Sequence, residues 1–176
     1  MLQEVTSWGG VDHPHHHLQR LQWLTNSELN AVDYSKFVLP FGLGRSYGDS
    51  CLNGQNSLLM TKALNRFISF DEQSGLLKCE AGVSLADILA WAVPKGWFLN
   101  VTPGTKYVTV GGAIANDVHG KNHHLKGTFG AHVTKFEVLR STGERILCSL
   151  DQNTDLFQAT IGGLGLTGLI LWAEIR

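Results

Sequence analysis

Residues 111–130 read GGAIANDVHGKNHHLKGTFG, and this segment decides the fold. It holds five glycines and three histidines but no run of large apolar residues. A buried helix or strand does not need such a composition, because glycine weakens both elements. Glycine does let another group approach the backbone closely. The segment therefore predicts a loop and a helix start that hold a phosphate-bearing ligand.

Composition places the chain among globular proteins. It has 176 residues, 43% of them hydrophobic, enough for one domain or two small subdomains with a packed core. The net charge of −1 gives no overall attraction to nucleic acid or to an anionic membrane. No apolar run approaches ~18 residues, so no transmembrane helix is expected. The N-terminus MLQEVTSWGG lacks the parts of a signal peptide, so we expect a cytoplasmic protein.

Three cysteines, Cys51, Cys79 and Cys148, lie far apart in the sequence. An odd number without a CxxC pair predicts reduced thiols in a reducing compartment. Cysteines of this kind are most often buried as small apolar residues.

Strands and single helices alternate irregularly, which predicts an α+β fold with mixed sheets. Residues 1–35 show no regular pattern beyond a possible amphipathic helix at 18–32. Ser84 and Asp87 predict a capped helix that Pro94 and Gly96 end. The other predicted elements are strands at 36–40, 56–61, 66–71, 75–82, 97–101 and 167–176, a hairpin at 131–150, and helical turns from 111 and at 155–160.

The first glycine loop, GLGRSYGD at 42–49, directly follows a predicted strand. Successive N–H groups in such a turn form an anion-binding concavity, and Arg45 can add a charged contact to a phosphate. A plain surface turn with a solvated Arg45 is the alternative. A diphosphate that bridges this loop and the helix start at 111 would account for the missing side chains at both.

A third glycine segment, residues 163–168, matches GxGxxG literally. The dinucleotide fingerprint requires a strand before this motif and a helix after it, whereas LILWAEI follows here. We therefore reject a Rossmann domain.

The histidines also suggest metal ligands, as HxxxHH from His119 to His124 and as HPHHH at 13–17. No glutamate or cysteine completes a ligand set in the first motif, so we expect no metal there. A hydrolase that uses a metal ion bound by these histidines is a minor alternative. The second motif is interpreted as a polar surface segment.

Three motifs together, LPFGLGRSYGDS, TPGTKYVTVGGAIANDVHGKNHH and IGGLGLTGLI, resemble one family. It is the PCMH-type FAD-binding domain of the vanillyl-alcohol-oxidase type of flavoprotein, and within it the oxidases that act on decaprenylphosphoryl-ribose. The resemblance covers residues 36–176, whereas 1–35 match poorly. It implies two α+β subdomains with FAD between them.

The resemblance also implies the residues that bind FAD. They are Pro40, Phe41, Gly42, Leu43, Gly44, Arg45, Ser46, Tyr47, Gly48, Asp49, Ser50, Gly104, Thr109, Val110, Gly111, Gly112, Asn116, Asp117, Val118, His119 and Ile170. Several relatives attach FAD to a histidine of the first loop. Arg45 stands there in this chain, and no histidine lies between 18 and 118, so we expect non-covalent FAD.

By the same resemblance, His119 lies beside the flavin and is the candidate catalytic residue, although a histidine bonded only to backbone is the alternative. The implied reaction is hydride transfer from a secondary alcohol of a sugar or polyol, free or linked to a lipid phosphate. The implied partners are that substrate, a membrane contacted weakly through it, and a reductase of the same pathway. The type's substrate-binding cap and lysine base come from a later region, so we expect this chain to be inactive alone. A non-catalytic FAD- or nucleotide-binding module is the second hypothesis.

Overall fold

A computed structural model describes residues 2–21, 33 and 37–176. These residues form two β-sheets with short helices, as the α+β prediction requires. The first sheet has the strand order β1-β2-β4-β3, in which β4 runs parallel to both neighbours and β1 runs antiparallel to β2. Its strands are β1 (Leu2–Glu4), β2 (His15–Arg20), β3 (Val38–Phe41) and β4 (Ser57–Met60).

The second sheet is antiparallel throughout, in the order β5-β6-β9-β7-β8. Its strands are β5 (Phe67–Asp71), β6 (Leu76–Glu80), β7 (Val133–Leu139), β8 (Arg145–Ser149) and β9 (Leu169–Ile175). The β7–β8 turn closes through the Gly143 N–H and the Arg140 carbonyl oxygen at 2.9 Å. Gly143 adopts φ 84°, which glycine tolerates best, so the predicted hairpin is confirmed.

Four short helices in the described ranges accompany the sheets. They are α1 (Leu85–Ala92), α2 (Val110–Ala115), α3 (His123–Lys126) and α4 (Thr154–Thr160). Of these, α1, α2 and α4 contribute buried residues to the core of the second sheet. The predicted cap of α1 is confirmed, since the Asp87 N–H donates to the Ser84 hydroxyl at 3.1 Å and the Ser84 N–H donates back to the Asp87 carboxylate at 3.1 Å. Gly96 ends the helical region with φ 81°.

Three buried apolar clusters lie in the described ranges, and two of them include β9. The largest lies between the second sheet and its helices and includes Phe136 and Phe157, whose rings stack with centroids 4.9 Å apart. A smaller cluster joins Leu59 and Leu64 to Leu169 and Leu171 of β9. Because β9 contributes to both, its position fixes how the first sheet meets the second.

Several sequence predictions are wrong. Residues 97–101 form no strand, although Val101 is buried. The N-terminal segment is not irregular, because β1 and β2 lie in it, and the helix proposed for 18–32 cannot begin at 18 because 18–20 belong to β2. Residues 22–32 lie outside the described residues. His16 is fully buried within β2, so HPHHH is not simply a surface segment.

Cys79 and Cys148 are buried and Cys51 is partly buried, and all three are free thiols. Burial, and secondarily the neighbouring Glu80 charge, raises the pKa of Cys79 to about 12. No helix in the described ranges has the length and apolar composition to cross a membrane.

Candidate cofactor-binding site

A cavity of about 690 Å³ opens where the two sheets meet. This volume lies within the roughly 300–1,000 Å³ of ordinary ligand pockets. Its walls come from the segment after β3, the segment before α2, the end of α2 and the start of β9. It is lined by many residues predicted from the sequence, namely Pro40, Gly42, Leu43, Gly44, Arg45, Ser46, Tyr47, Ser50, Gly104, Thr109, Gly111, Gly112, Asn116, Val118, His119 and Ile170.

Five predicted residues do not line the cavity. Phe41 and Val110 are buried in the core, at 7% and 0% exposure. Gly48 lies in a turn with φ 60°, and a Cβ there would meet no heavy atom within 4 Å. The side chains of Asp49 and Asp117 accept hydrogen bonds from other residues of the chain, and these bonds stabilise the neighbouring loops.

The first glycine loop can receive an anion. In the described part of the chain, the backbone N–H groups of Leu43, Gly44, Arg45 and Ser46 have no acceptor. Gly44 has φ 63°, a conformation that turns successive N–H groups toward one point. Unpartnered donors beside a cavity are what a diphosphate requires, so this loop fits the predicted phosphate contact.

The start of α2 lines the same cavity but offers no free N–H group to a phosphate. All three of its first N–H groups donate within the chain: Val110 to the Val83 carbonyl at 2.8 Å, Gly111 to the Ala81 carbonyl at 2.8 Å, and Gly112 to the Thr109 hydroxyl at 3.1 Å. A phosphate would therefore find no free backbone donor at these positions. That the helix start shares the diphosphate with the first loop stays a prediction, and such a contact would use atoms other than these three N–H groups.

Packing inside the chain explains most glycines of residues 111–130. A Cβ on Gly111 would lie 3.0 Å from the Cβ of Ala81, and one on Gly120 would lie 2.7 Å from the carbonyl oxygen of Thr102. Gly104 is different, because a Cβ there would meet no heavy atom within 4 Å although the residue lines the cavity. Packing therefore does not require glycine at position 104, and the lack of a side chain leaves the backbone there accessible to a ligand.

His119 lines the cavity and is exposed. Its backbone bridges to Thr128, and its ring centroid lies 5.4 Å from that of His123. The Nδ1 of His123 bonds to the Gly120 carbonyl oxygen at 3.1 Å, which holds this ring in place beside His119. In the described ranges, no three histidine, cysteine or acidic side chains are arranged to hold a metal ion. That the protein binds no metal stays a prediction.

Sequence reasoning missed two walls of the cavity. Trp8 lines it although it lies far from the glycine loops in sequence. The second is the loop at 163–168, of which Leu164, Gly165 and Gly168 line the cavity. Rejection of a Rossmann fingerprint there is confirmed, because strand β9 follows the loop.

An α+β fold whose two sheets share a cavity beside a loop of unpartnered N–H groups defines a domain that binds a phosphate-bearing cofactor. The sequence profile of the family described as "FAD binding domain" matches residues 30–149, and the chain belongs to this family. Its cofactor is FAD.

Curated relatives agree with this assignment. The chain is 50% identical over 147 residues to decaprenylphosphoryl-beta-D-ribose oxidase of Mycolicibacterium smegmatis, a match that covers 83% of the chain and 32% of the relative. It is 30% identical over 148 residues to mouse L-gulonolactone oxidase, covering 83% and 33%. Human Delta(24)-sterol reductase is 29% identical over 109 residues, covering 62% and 21%. The chain thus spans about a third of the first two relatives.

Proposed function

We propose that this chain is the FAD-binding part of an oxidoreductase that oxidises a secondary alcohol of a sugar or polyol. The observation that carries the proposal is a cavity lined both by His119 and by the loop whose N–H groups have no acceptor among the described residues. The names of the relatives favour a sugar-derived alcohol. Two of them are oxidases named for sugar-derived compounds, and each matches 83% of the chain. The sterol reductase matches less of it, 62%.

Bound FAD supplies a hydride acceptor. Residues of the chain itself supply the contacts that hold the cofactor and the alcohol. The N–H groups at 43–46 and the Arg45 guanidinium would hold the diphosphate of FAD, and the open backbone at Gly104 would let the cofactor approach. The imidazole of His119 faces the same cavity, where it can hydrogen-bond an alcohol oxygen and hold its proton.

The substrate class extends to sugars linked to a lipid phosphate, because the relative with 50% identity is named for such a compound. A lipid-linked substrate would bring the protein to a membrane surface. A reductase that receives the oxidised product is the corresponding partner. The cytoplasmic location stays a prediction.

The test uses the protein that carries this chain, loaded with FAD and kept free of oxygen. A polyprenylphosphoryl ribose should abolish the visible absorption of the oxidised flavin, whereas the same polyprenyl phosphate without sugar should not. His119→Ala should slow this reduction without loss of bound FAD. His124→Ala is the matched control, because His124 is exposed and does not line the cavity. Bound flavin that no sugar or polyol reduces would favour a non-catalytic FAD-binding module instead.

A further inference from the structure

Residues 6–13, which we name the N-terminal strap, lie against the first glycine loop. Ser7 is only 6% exposed, and its hydroxyl donates to the Asp49 carboxylate at 2.9 Å. The carbonyl oxygen of Thr6 lies 3.5 Å from the position of a Cβ on Gly44. The strap therefore contacts the loop at two points, one at Gly44 and one at Asp49.

The strap has a closed shape. The Val5 N–H donates to the Pro14 carbonyl at 3.2 Å, which brings its two ends together, and the Gly10 N–H donates to the Ser7 carbonyl at 3.1 Å. Gly10 supports this turn with φ 58°. Because β1 and β2 anchor both ends in the first sheet, the strap presents a fixed surface to the glycine loop.

Trp8 is the side chain that the strap presents at the cavity. It is 60% exposed and lines the cavity together with Arg45. The Arg45 guanidinium carbon lies 4.9 Å from the centroid of the Trp8 ring. This distance is within the range of a cation–π contact.

Arg45 makes no ion pair with a carboxylate in the described ranges. Its guanidinium is thus held by an aromatic face, which leaves its N–H donors available. A guanidinium carries five such donors in a fixed plane, and a contact with an aromatic ring restrains its position without an acceptor atom for them. The adjacent N–H groups of Leu43 and Gly44 have no acceptor in the described chain either.

We infer that Trp8 belongs to the FAD site as the residue that positions Arg45, so that the guanidinium and the loop N–H groups bind one diphosphate together. The inference rests on FAD as the cofactor and adds the N-terminal strap to its site. Trp8 acts through Arg45 and takes no part in the reaction.

The test measures FAD dissociation constants of the protein after removal of its flavin. Arg45→Ala should weaken binding about tenfold or more, the scale of a charged hydrogen bond. Trp8→Leu should weaken it about threefold to thirtyfold, the scale of a cation–π contact. Trp8→Phe retains an aromatic face and should restore most of the affinity. Phe98→Leu is the matched control, since Phe98 is 66% exposed and does not line the cavity.

The double variant Trp8→Leu/Arg45→Ala distinguishes positioning from independent contact. If Trp8 acts through Arg45, the double variant binds FAD as weakly as Arg45→Ala alone. Additive losses would overturn the positioning role, and native affinity in Trp8→Leu would remove Trp8 from the site. Thermal unfolding shows whether each variant is folded. If Trp8→Leu does not fold, Trp8→Phe still tests the inference. Failure of the native protein to bind FAD would contradict the proposed function instead.

Discussion

Gly42 and Thr109 meet at one crowded point between the first glycine loop and α2. A Cβ on Gly42 would lie 2.5 Å from the Thr109 hydroxyl oxygen. The same oxygen accepts the Gly112 N–H at 3.1 Å and so caps α2. Thr109 is buried, so its hydroxyl has little freedom to move away. The loop that offers free donors and the helix behind it are therefore packed as one unit.

Gly42→Ala should lower the free energy of unfolding by about 2 kcal/mol, because the new methyl group displaces the capping hydroxyl. Gly104→Ala is the matched substitution, since its methyl group enters open space in the cavity. It should change stability by less than about 0.5 kcal/mol and yet weaken FAD binding. Urea unfolding and FAD titration measure the two effects. Equal stability of both variants would contradict the packing argument, and native FAD affinity in Gly104→Ala would contradict ligand contact at this position.

FAD should be released completely by acid precipitation. The first glycine loop contains no histidine, and the guanidinium of Arg45 forms no covalent bond to a flavin. The yellow colour should therefore appear in the supernatant when the protein is precipitated. Colour that stays in the pellet would show a covalent link, and His119 would then be the residue to replace first because it lines the cavity.

Glu80→Ala should lower the free energy of unfolding by about 1–3 kcal/mol, the scale of a lost charged hydrogen bond. Glu80 is 1% exposed and accepts from the Arg66 backbone N–H at 2.9 Å and from its Nε at 2.7 Å. These bonds fix the start of β5 to the end of β6. Glu72→Ala is the control, because Glu72 is exposed. A loss of equal size in both variants, measured in urea, would show that the Glu80 contacts contribute nothing.

Glu137 should make stability depend on acid pH. Burial raises its pKa, but hydrogen bonds from Arg145 and Trp172 outweigh burial and leave the pKa below the ordinary glutamate value. A lowered folded-state pKa stabilises the protein above the unfolded value of about 4.3, and this contribution is lost as the pH falls through the folded value.

Glu137→Gln should accordingly reduce the free energy of unfolding at neutral pH more than at about pH 3. Glu144→Gln, at the exposed hairpin turn, should show no such difference. Urea unfolding at both pH values gives the comparison. A Glu137→Gln effect that is the same at both would mean that the carboxylate contacts with Arg145 and Trp172 add no net stability.

Local signals predicted the second sheet well. The Ser84–Asp87 capping box, the glycine turn at 143 and the apolar strand at 169–175 each depend on residues close in sequence, and each is confirmed. The first glycine loop was found for the same reason, because its donors and its Gly44 conformation belong to one short segment.

Non-local pairing explains the failures. Strand β2 contains HHHLQR, a polar sequence that becomes a strand only through its parallel partner β4. His16 is buried there and accepts the Asn53 N–H at 3.0 Å, a contact 37 residues away. Residues 97–101 have the composition of a strand but no adjacent strand to pair with in the described chain. Likewise, the first two N–H groups of α2 donate to the carbonyl oxygens of Val83 and Ala81, and no local sequence motif indicates these bonds.

The cavity has walls from both sheets, with Trp8 at one end of the sequence and Ile170 near the other. A partly folded chain with only one sheet formed cannot bind FAD as the native chain does, since half the walls are missing. The cofactor should therefore leave the rate of refolding unchanged and slow unfolding, because it stabilises the native state and not the transition state. Bound FAD therefore increases the kinetic stability of the native protein, and loss of the cofactor should shorten the time for which the protein stays folded.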